Sequence, residues 1–220
     1  MTLEGKKIST SQNWAIWAKD IVHRYDPDSL RFFFIGNGPE RRDSDFSWRE
    51  YVNNHNGELL GAYGNLVNRT LVFVNKYFDS VIPHGEIGEE TKDRMNGLFE
   101  TVGEKVDRGA LRDALEEIFE FVRYGNKYFD EAQPWKTRES DIEKCKGTMV
   151  HCVGMIANLS VLLHPFLPFS SEKVRAWLGL SEVWEPQVVS PGAVIPAVEV
   201  LFERLDKKLV DEEIASLKDM

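Results

Sequence analysis

Two cysteines in 220 residues leave little scope for covalent cross-linking. Cys145 and Cys152 stand seven residues apart, on one side of a predicted helix, a placement that disfavours a disulfide. They read as two buried, reduced thiols, because a metal pair would need His or acidic ligands close by. The five histidines, His23, His55, His84, His151 and His164, show no mutual spacing suited to a metal or a catalytic dyad. No metal site is therefore expected. No run of eighteen or more apolar residues occurs, and the start MTLEGKKIST lacks the apolar core of a signal peptide. These absences predict a cytoplasmic chain with no membrane partner. A glycine-rich loop of the kind that cradles nucleotide phosphates is also missing, as is any internal repeat.

What is present is an ordinary globular composition, 42% hydrophobic and 29% charged, long enough for a sizeable core. The net charge of −9 argues against a nucleic-acid partner, since phosphate contacts need Lys and Arg. Its distribution weakens that objection. Residues 1–80 hold ten basic and ten acidic side chains, whereas 84–120 hold eleven acids against five bases. The acidic stretch reads as a solvated helix face, and a nucleic-acid face is expected toward the N-terminal half.

The chain reads as a series of helices. Asp26-Pro27-Asp28-Ser29 opens one, with Asp as cap and Pro in the first turn, where its missing N–H costs nothing. From Ser47 to Phe78 there is no proline, and Leu59, Tyr63, Leu66, Val67, Val74 and Phe78 recur at helical steps, predicting one long amphipathic helix. Met95 to Val106 and Gly109 to Asp130 give two more. Gln133-Pro134-Trp135 ends the latter, and a fourth long helix is predicted from Glu139 to Leu163. A short helix should follow at Ser170–Leu178 with Ser170-Ser171-Glu172-Lys173 as its capping start, then an extended arm over 184–200. A last helix is predicted over Leu201–Leu217. The expected fold class is all-α, a helical bundle.

Three clusters carry chemistry. Lys6-Lys7-Ile8-Ser9-Thr10-Ser11 is a basic, hydroxylated loop; alone it reads as a solvated turn. Asn65 and Arg69, four apart on the long helix, project from one face beside its apolar stripe. An amide next to a guanidinium can hydrogen-bond the edges of unpaired bases, and Arg can stack on one. Asn126-Lys127-Tyr128-Phe129-Asp130-Glu131-Ala132-Gln133-Pro134-Trp135 places a tryptophan just past a helix end, where its ring can serve as a stacking platform or pack into the core. Trp14, Trp17, Trp48, Trp177 and Trp184 stand in no such motif and are assigned to packing.

Followed by Gln12-Asn13-Trp14 and the 26–32 segment, the first cluster resembles the KMSKS signature of class I aminoacyl-tRNA synthetases, with Thr10 where its second lysine falls. The N-L-x-x-R segment, the N-x-Y-x-D-E-x-x-P-W segment and the closing Leu201-Phe202-Glu203-Arg204-Leu205-Asp206 together resemble methionyl-tRNA synthetases over nearly the whole chain. That resemblance implies anticodon binding by Asn65, Arg69 and Trp135, which would read CAU, with Trp stacking on the first anticodon base. It implies catalytic contacts from Lys7, Ser9 and Ser11 in an incomplete site, where lysine charge offsets ATP phosphates during adenylate formation. It further implies methionine tRNA as partner, and ATP and Mg2+ for a full methionine-tRNA ligase, with no cofactor for this part. The HIGH-type signature and the N-terminal catalytic Rossmann domain are absent, so the isolated chain is expected to be inactive. The implied divisions are 1–45, a signature-loop and stem-contact remnant; 46–183, the anticodon-binding bundle; and 184–220, an arm and C-terminal helix that pack toward the catalytic side. The corresponding module of a leucyl, isoleucyl, valyl or cysteinyl enzyme, or a non-catalytic helical adaptor for proteins, is the alternative.

Overall fold

The proline-free stretch expected as one helix is three segments in the computed structural model, which describes residues 1–12, 14–40 and 43–219, without the side chains of 218–219. Helix α3 (Trp48–Asn54) passes into a ten-residue π-helix, His55–Gly64, and then into α4 (Asn65–Tyr77). π-Helical bonding closes each turn on the carbonyl five residues back. It brings that carbonyl so near that a Cβ at Gly61 would lie 2.9 Å from the Asn56 oxygen and one at Gly64 3.0 Å from the Leu59 oxygen. Glycine at these two positions permits the tight approach; elsewhere the segment reads like any amphipathic helix.

The C-terminal segment is clasped onto this joint. The Asn56 amide donates to the Leu205 carbonyl at 2.9 Å and accepts from the Leu205 N–H at 2.9 Å, while His55 Nε2 lies 2.7 Å from the Glu203 carbonyl. Because a carbonyl only accepts, Nε2 carries the proton, and Nδ1 accepts from the Ser29 hydroxyl at 2.7 Å. With Leu201 and Phe202 buried in the main core and the Glu203 carbonyl and both backbone groups of Leu205 held by His55 and Asn56, this segment does not coil into a helix. The last helix is accordingly not Leu201–Leu217 but α10, Lys208–Asp219.

The other elements are a small sheet, β1 (Thr2–Leu3), β2 (Lys6–Lys7) and β3 (Asp45–Phe46) in order β2-β1-β3; α1 (Ala18–Ile21) and α2 (Pro27–Gly36); and the bundle helices α5 (Glu89–Asp107), α6 (Leu111–Ala132), α7 (Pro134–Ser140), α8 (Ile142–Leu162) and α9 (Pro168–Leu178). The all-α bundle is as expected, with the sheet as an addition. Helix α7 corrects the expected continuous stretch from Glu139, since Asp141 breaks it and caps α8 by accepting from the Lys144 N–H. Ser170 and Ser171 are not the capping start of α9: both are buried inside it. The cap comes from Asp28 of α2, whose carboxylate accepts from the Ser170 N–H and hydroxyl, each at 2.7 Å. Burial raises the Asp28 pKa, and these donors act against that rise.

Two cores result. The larger is centred on α8 and takes in the π-helix, α4, α5, α6 and α9. Helix α8 is long and apolar enough to cross a bilayer, but 83% of the window that qualifies it is buried within the protein, as for any central bundle helix. The smaller core joins Leu3, Phe33, Phe46, Trp48 and Tyr51 to Val210 and Leu217 of α10, so the two ends of the described chain pack together. Residues 184–200 have no regular structure; the Ile82 and Ile195 N–H groups donate to Ala193 and Ser80, and the Asn158 amide bonds both N–H and C=O of Gln187. Cys145 and Cys152 are free and buried, and burial pushes the Cys152 thiol up to about 12.

Burial lowers the pKa of His55 and of His151. Both fold as neutral imidazoles, so below about pH 6.5 the unfolded chain binds protons that the folded chain does not. The contribution of these two histidines should be flat above neutrality, and stability should fall as pH drops from about 6.5 toward the depressed folded-state values. Chemical denaturation at pH 7.5 and pH 5.5 checks this; replacing His55 with glutamine should flatten part of the decline.

Candidate nucleic-acid interface

Asn65 and Arg69 face Asn126 and Asp130 across the contact between α4 and α6, one pair spaced four residues apart meeting another. Asn126 is fixed first: its Nδ2 donates to the Ala62 carbonyl at 3.0 Å and the Val122 carbonyl at 3.1 Å. With its donors committed, its Oδ1 accepts from Asn65 Nδ2 at 3.1 Å. Asn65 therefore turns an amide donor inward and leaves its own carbonyl oxygen toward solvent.

Arg69 is held on three sides. Nη1 bonds Asp130 Oδ1 at 2.7 Å, Nη2 donates to the Asn126 carbonyl, and the guanidinium carbon lies 4.1 Å from the Phe129 ring centroid. Its Nε is buried with no hydrogen-bond partner. A guanidinium pinned by a carboxylate, a carbonyl and a ring face has lost most of its rotamer freedom, so little entropy remains to be lost when it meets a ligand.

Trp135 reaches the same face by a different device. Gln133 adopts φ +47, the left-handed conformation, and its N–H closes on the Phe129 carbonyl to end α6. Pro134 then opens α7 at its first position, which turns Trp135 outward. The buried Cys145 sulfur, 3.6 Å from the Pro134 carbonyl, seats α7 on α8. Trp135 is 45% exposed, with its ring centroid 6.1 Å from that of Phe129. Phe129 thus lies under both Arg69 and Trp135, and the three anticodon candidates share one face. Sequence reasoning misses Asn126, Phe129 and Asp130 as site residues; the four-residue spacing of Asn126 and Asp130, matching that of Asn65 and Arg69, is the signal that points to two of them.

Ion pairs lie both at this face, where Arg69 meets Asp130 and Arg138 meets Glu139, and elsewhere in the bundle. Lys105–Glu117, Arg108–Glu104 and Arg112–Glu116 pair on α5 and α6. Among the described residues, Lys76 and Lys136, at the Trp135 end, have no carboxylate within ion-pair distance.

The signature-like loop lies elsewhere, on the sheet attached to the smaller core. Lys7 and Ser11 are exposed and Ser9 is half-buried. The Ser9 and Ser11 hydroxyls lie 3.2 Å apart, and Ser9 and Trp14 exchange backbone hydrogen bonds of 2.9 and 2.8 Å. The Lys6 ammonium sits 4.5 Å from the centre of the Trp14 ring. Asn13 falls outside the described residues. Trp48 is fully buried as packing requires, but Trp17 is half exposed, a departure from the packing expected of it. Among the described residues, no group of three His, Cys, Asp or Glu is arranged to hold a metal.

Comparison with known proteins assigns the class and then the family. Residues 1–71 match the family model "tRNA synthetases class I (M)", which makes the N-terminal part that of a class I synthetase. Residues 81–219 match the model "Anticodon binding domain of methionyl tRNA ligase", and the chain belongs to that family. The chain is 53% identical over 218 residues to methionine–tRNA ligase 1 of Alkaliphilus oremlandii and 52% identical to methionine–tRNA ligase of Bacillus cereus strain G9842, covering 99% of this chain. It spans 40% of the length of these relatives. Among solved structures, methionyl-tRNA synthetase of Mycobacterium tuberculosis superposes with TM-score 0.84 in its methionyl-adenylate complex, at 25% identity over 92% of this chain and 42% of that one. Its free form gives 0.80 at 26% identity, over 87% of this chain and 41% of that one. The match selects the methionyl type over the leucyl, isoleucyl, valyl and cysteinyl modules and over an unrelated helical adaptor.

Proposed function

We propose that this chain binds the anticodon loop of methionine tRNA and reads CAU through Asn65, Arg69 and Trp135, as part of a methionine-tRNA ligase. The observation that carries this reading is the convergence of an outward amide oxygen, a pinned guanidinium and an exposed indole on Phe129 and its neighbours. Each supplies something an unpaired base can use. The Asn65 oxygen accepts from an exocyclic amino group of C or A, Arg69 donates to carbonyl or ring-nitrogen acceptors, and Trp135 stacks on a base face without regard to its identity.

Exposed Lys7 and Ser11 and the half-buried Ser9 lie on one loop edge that fits contact with the phosphates of ATP and does not enclose a nucleotide; in the whole enzyme ATP with Mg2+ would be bound mainly by other residues. Cytoplasmic location follows from the soluble translation role of such an enzyme. The deciding experiment measures affinity of the chain for stem-loops carrying CAU or altered anticodons at one stated salt concentration. Preference for CAU supports the reading, and equal affinity ends it.

The role of Asp130 can be separated from the fold. Its carboxylate is largely solvated, so its pair with Arg69 adds only about 0–1 kcal/mol to stability. Asp130→Ala should leave the unfolding midpoint nearly unchanged but release Arg69 to swing. CAU discrimination in the same stem-loop assay is expected to narrow severalfold. Unchanged discrimination would show that the carbonyl of Asn126 and the Phe129 ring suffice to aim the guanidinium.

A further inference from the structure

The face continues beyond the residues assigned to the anticodon. On α4, Asn65, Arg69, Phe73 and Tyr77 recur at four-residue steps, so the row extends about 12 Å past Arg69 at 1.5 Å per residue. Phe73 bridges the two parts, its centroid 6.4 Å from Phe129 and 4.5 Å from Tyr77. Tyr77 is itself 38% exposed. Over its ring, 4.3 Å from the centroid, lies the guanidinium of Arg138, one turn along α7 from Trp135. The Lys76 ammonium stands 5.1 Å from the same ring centre. Nothing in the reading of the triplet uses Tyr77, Arg138 or Lys76.

A guanidinium laid on an aromatic ring has one planar face covered and the other open, with its donors spread around the edge. Such a stack is already ordered, because the ring holds the long side chain that would otherwise have to be fixed on binding. The Arg138 side chain keeps a third of its surface open. Its carboxylate partner, Glu139, is the next residue and is itself well solvated, so it competes weakly. Bases stack readily on arginine planes and on tyrosine, whichever base is presented.

We propose that Tyr77 and Arg138 form a second stacking subsite that takes a nucleobase of the same RNA loop lying outside the triplet, with Lys76 against its adjoining phosphate. This rests on the anticodon reading and adds to it a term of a different kind. The first three residues choose among anticodons; this subsite adds affinity without choosing, because stacking tolerates any base.

The test uses the whole chain and labelled stem-loops of three sorts: CAU, altered anticodon, and CAU with a single abasic nucleotide just outside the triplet on either side. Arg138→Ala and Tyr77→Leu are expected to weaken CAU binding about five- to fiftyfold, with the CAU-to-altered ratio unchanged. One of the two abasic loops should weaken binding to the parent similarly and make no further difference to Arg138→Ala. Parent-like affinity of the variants overturns the proposal, as does an abasic loss that persists undiminished in Arg138→Ala. Loss of the CAU preference in Arg138→Ala also overturns it, by placing Arg138 in the triplet reading. If the parent itself binds CAU and altered loops equally, the anticodon reading fails first and the subsite fails with it.

Discussion

Trp135→Ala is expected to lower affinity for a CAU stem-loop by about 5- to 150-fold, the range that follows from roughly 1–3 kcal/mol per stacked base. The ring stands nearly half in solvent, so its removal opens no enclosed internal cavity. The variant should keep its unfolding midpoint, which separates this loss from one caused by misfolding. The form of the loss is also specified. Stacking fixes where the first base sits, and an unstacked base can reach Asn65 and Arg69 in several ways, so preference for CAU over altered loops should shrink along with affinity. Trp135→Phe keeps a smaller ring in place and should recover part of both. A Trp135→Ala chain that still discriminates like the parent would mean that the indole lies outside the interface.

Stacking carries more weight here than it would in a basic RNA-binding protein. With a net charge of −9, and with Arg69 and Arg138 beside Trp135 already paired to Asp130 and Glu139, only a few cations remain to neutralise phosphates near Trp135. Single-stranded binding loses about 0.7 in log affinity per tenfold rise in salt for each phosphate contacted. A handful of such contacts gives a shallow salt dependence, and the aromatic and amide contacts, which salt screens little, must hold the loop.

How much of this was legible in the sequence depends on the range of each interaction. The stripe Leu59, Tyr63, Leu66, Val67, Val74 announced a helix because periodicity is local, and Pro134 announced the end of α6 for the same reason. The π-helix was hidden, since Gly61 and Gly64 look like tolerable helix glycines until the i−5 carbonyls and Phe202 are in place. The false capping start at Ser170 has the same origin: the real cap, Asp28, stands 142 residues away. Likewise Leu201 to Asp206 has helical spacing, but its backbone is already bonded to His55 and Asn56. At the candidate site the three anticodon residues were reachable through motif resemblance. Asn126 and Asp130, which aim two of them, act from 61 residues along the chain, and their importance is visible only once α4 and α6 lie side by side.

Trp48→Ala is expected to cost about 3–5 kcal/mol, the range for removing a large aromatic from a packed interior. Trp48 is fully buried among Tyr25, Phe46 and Tyr51, and its backbone N–H donates to the Glu4 carboxylate at 2.7 Å. Its indole N–H, by contrast, is buried without a partner. Trp48→Phe gives up no hydrogen bond there and should cost less than half as much. The location of the damage matters more than its size. The smaller core ties the Lys7 sheet, α3 and α10 together, whereas Asn65, Arg69 and Trp135 rest on the larger one, centred on α8. A cavity at Trp48 should therefore free the sheet and α10 at lower denaturant than the bundle. Hydrogen exchange should then show early loss of protection at Leu3, Phe46 and Val210 while Cys152 and Ile156 stay protected, and CAU stem-loop binding should survive under native conditions. A single coincident transition would instead mean that the π-helical joint, held by His55 and Asn56, couples the two cores into one cooperative unit.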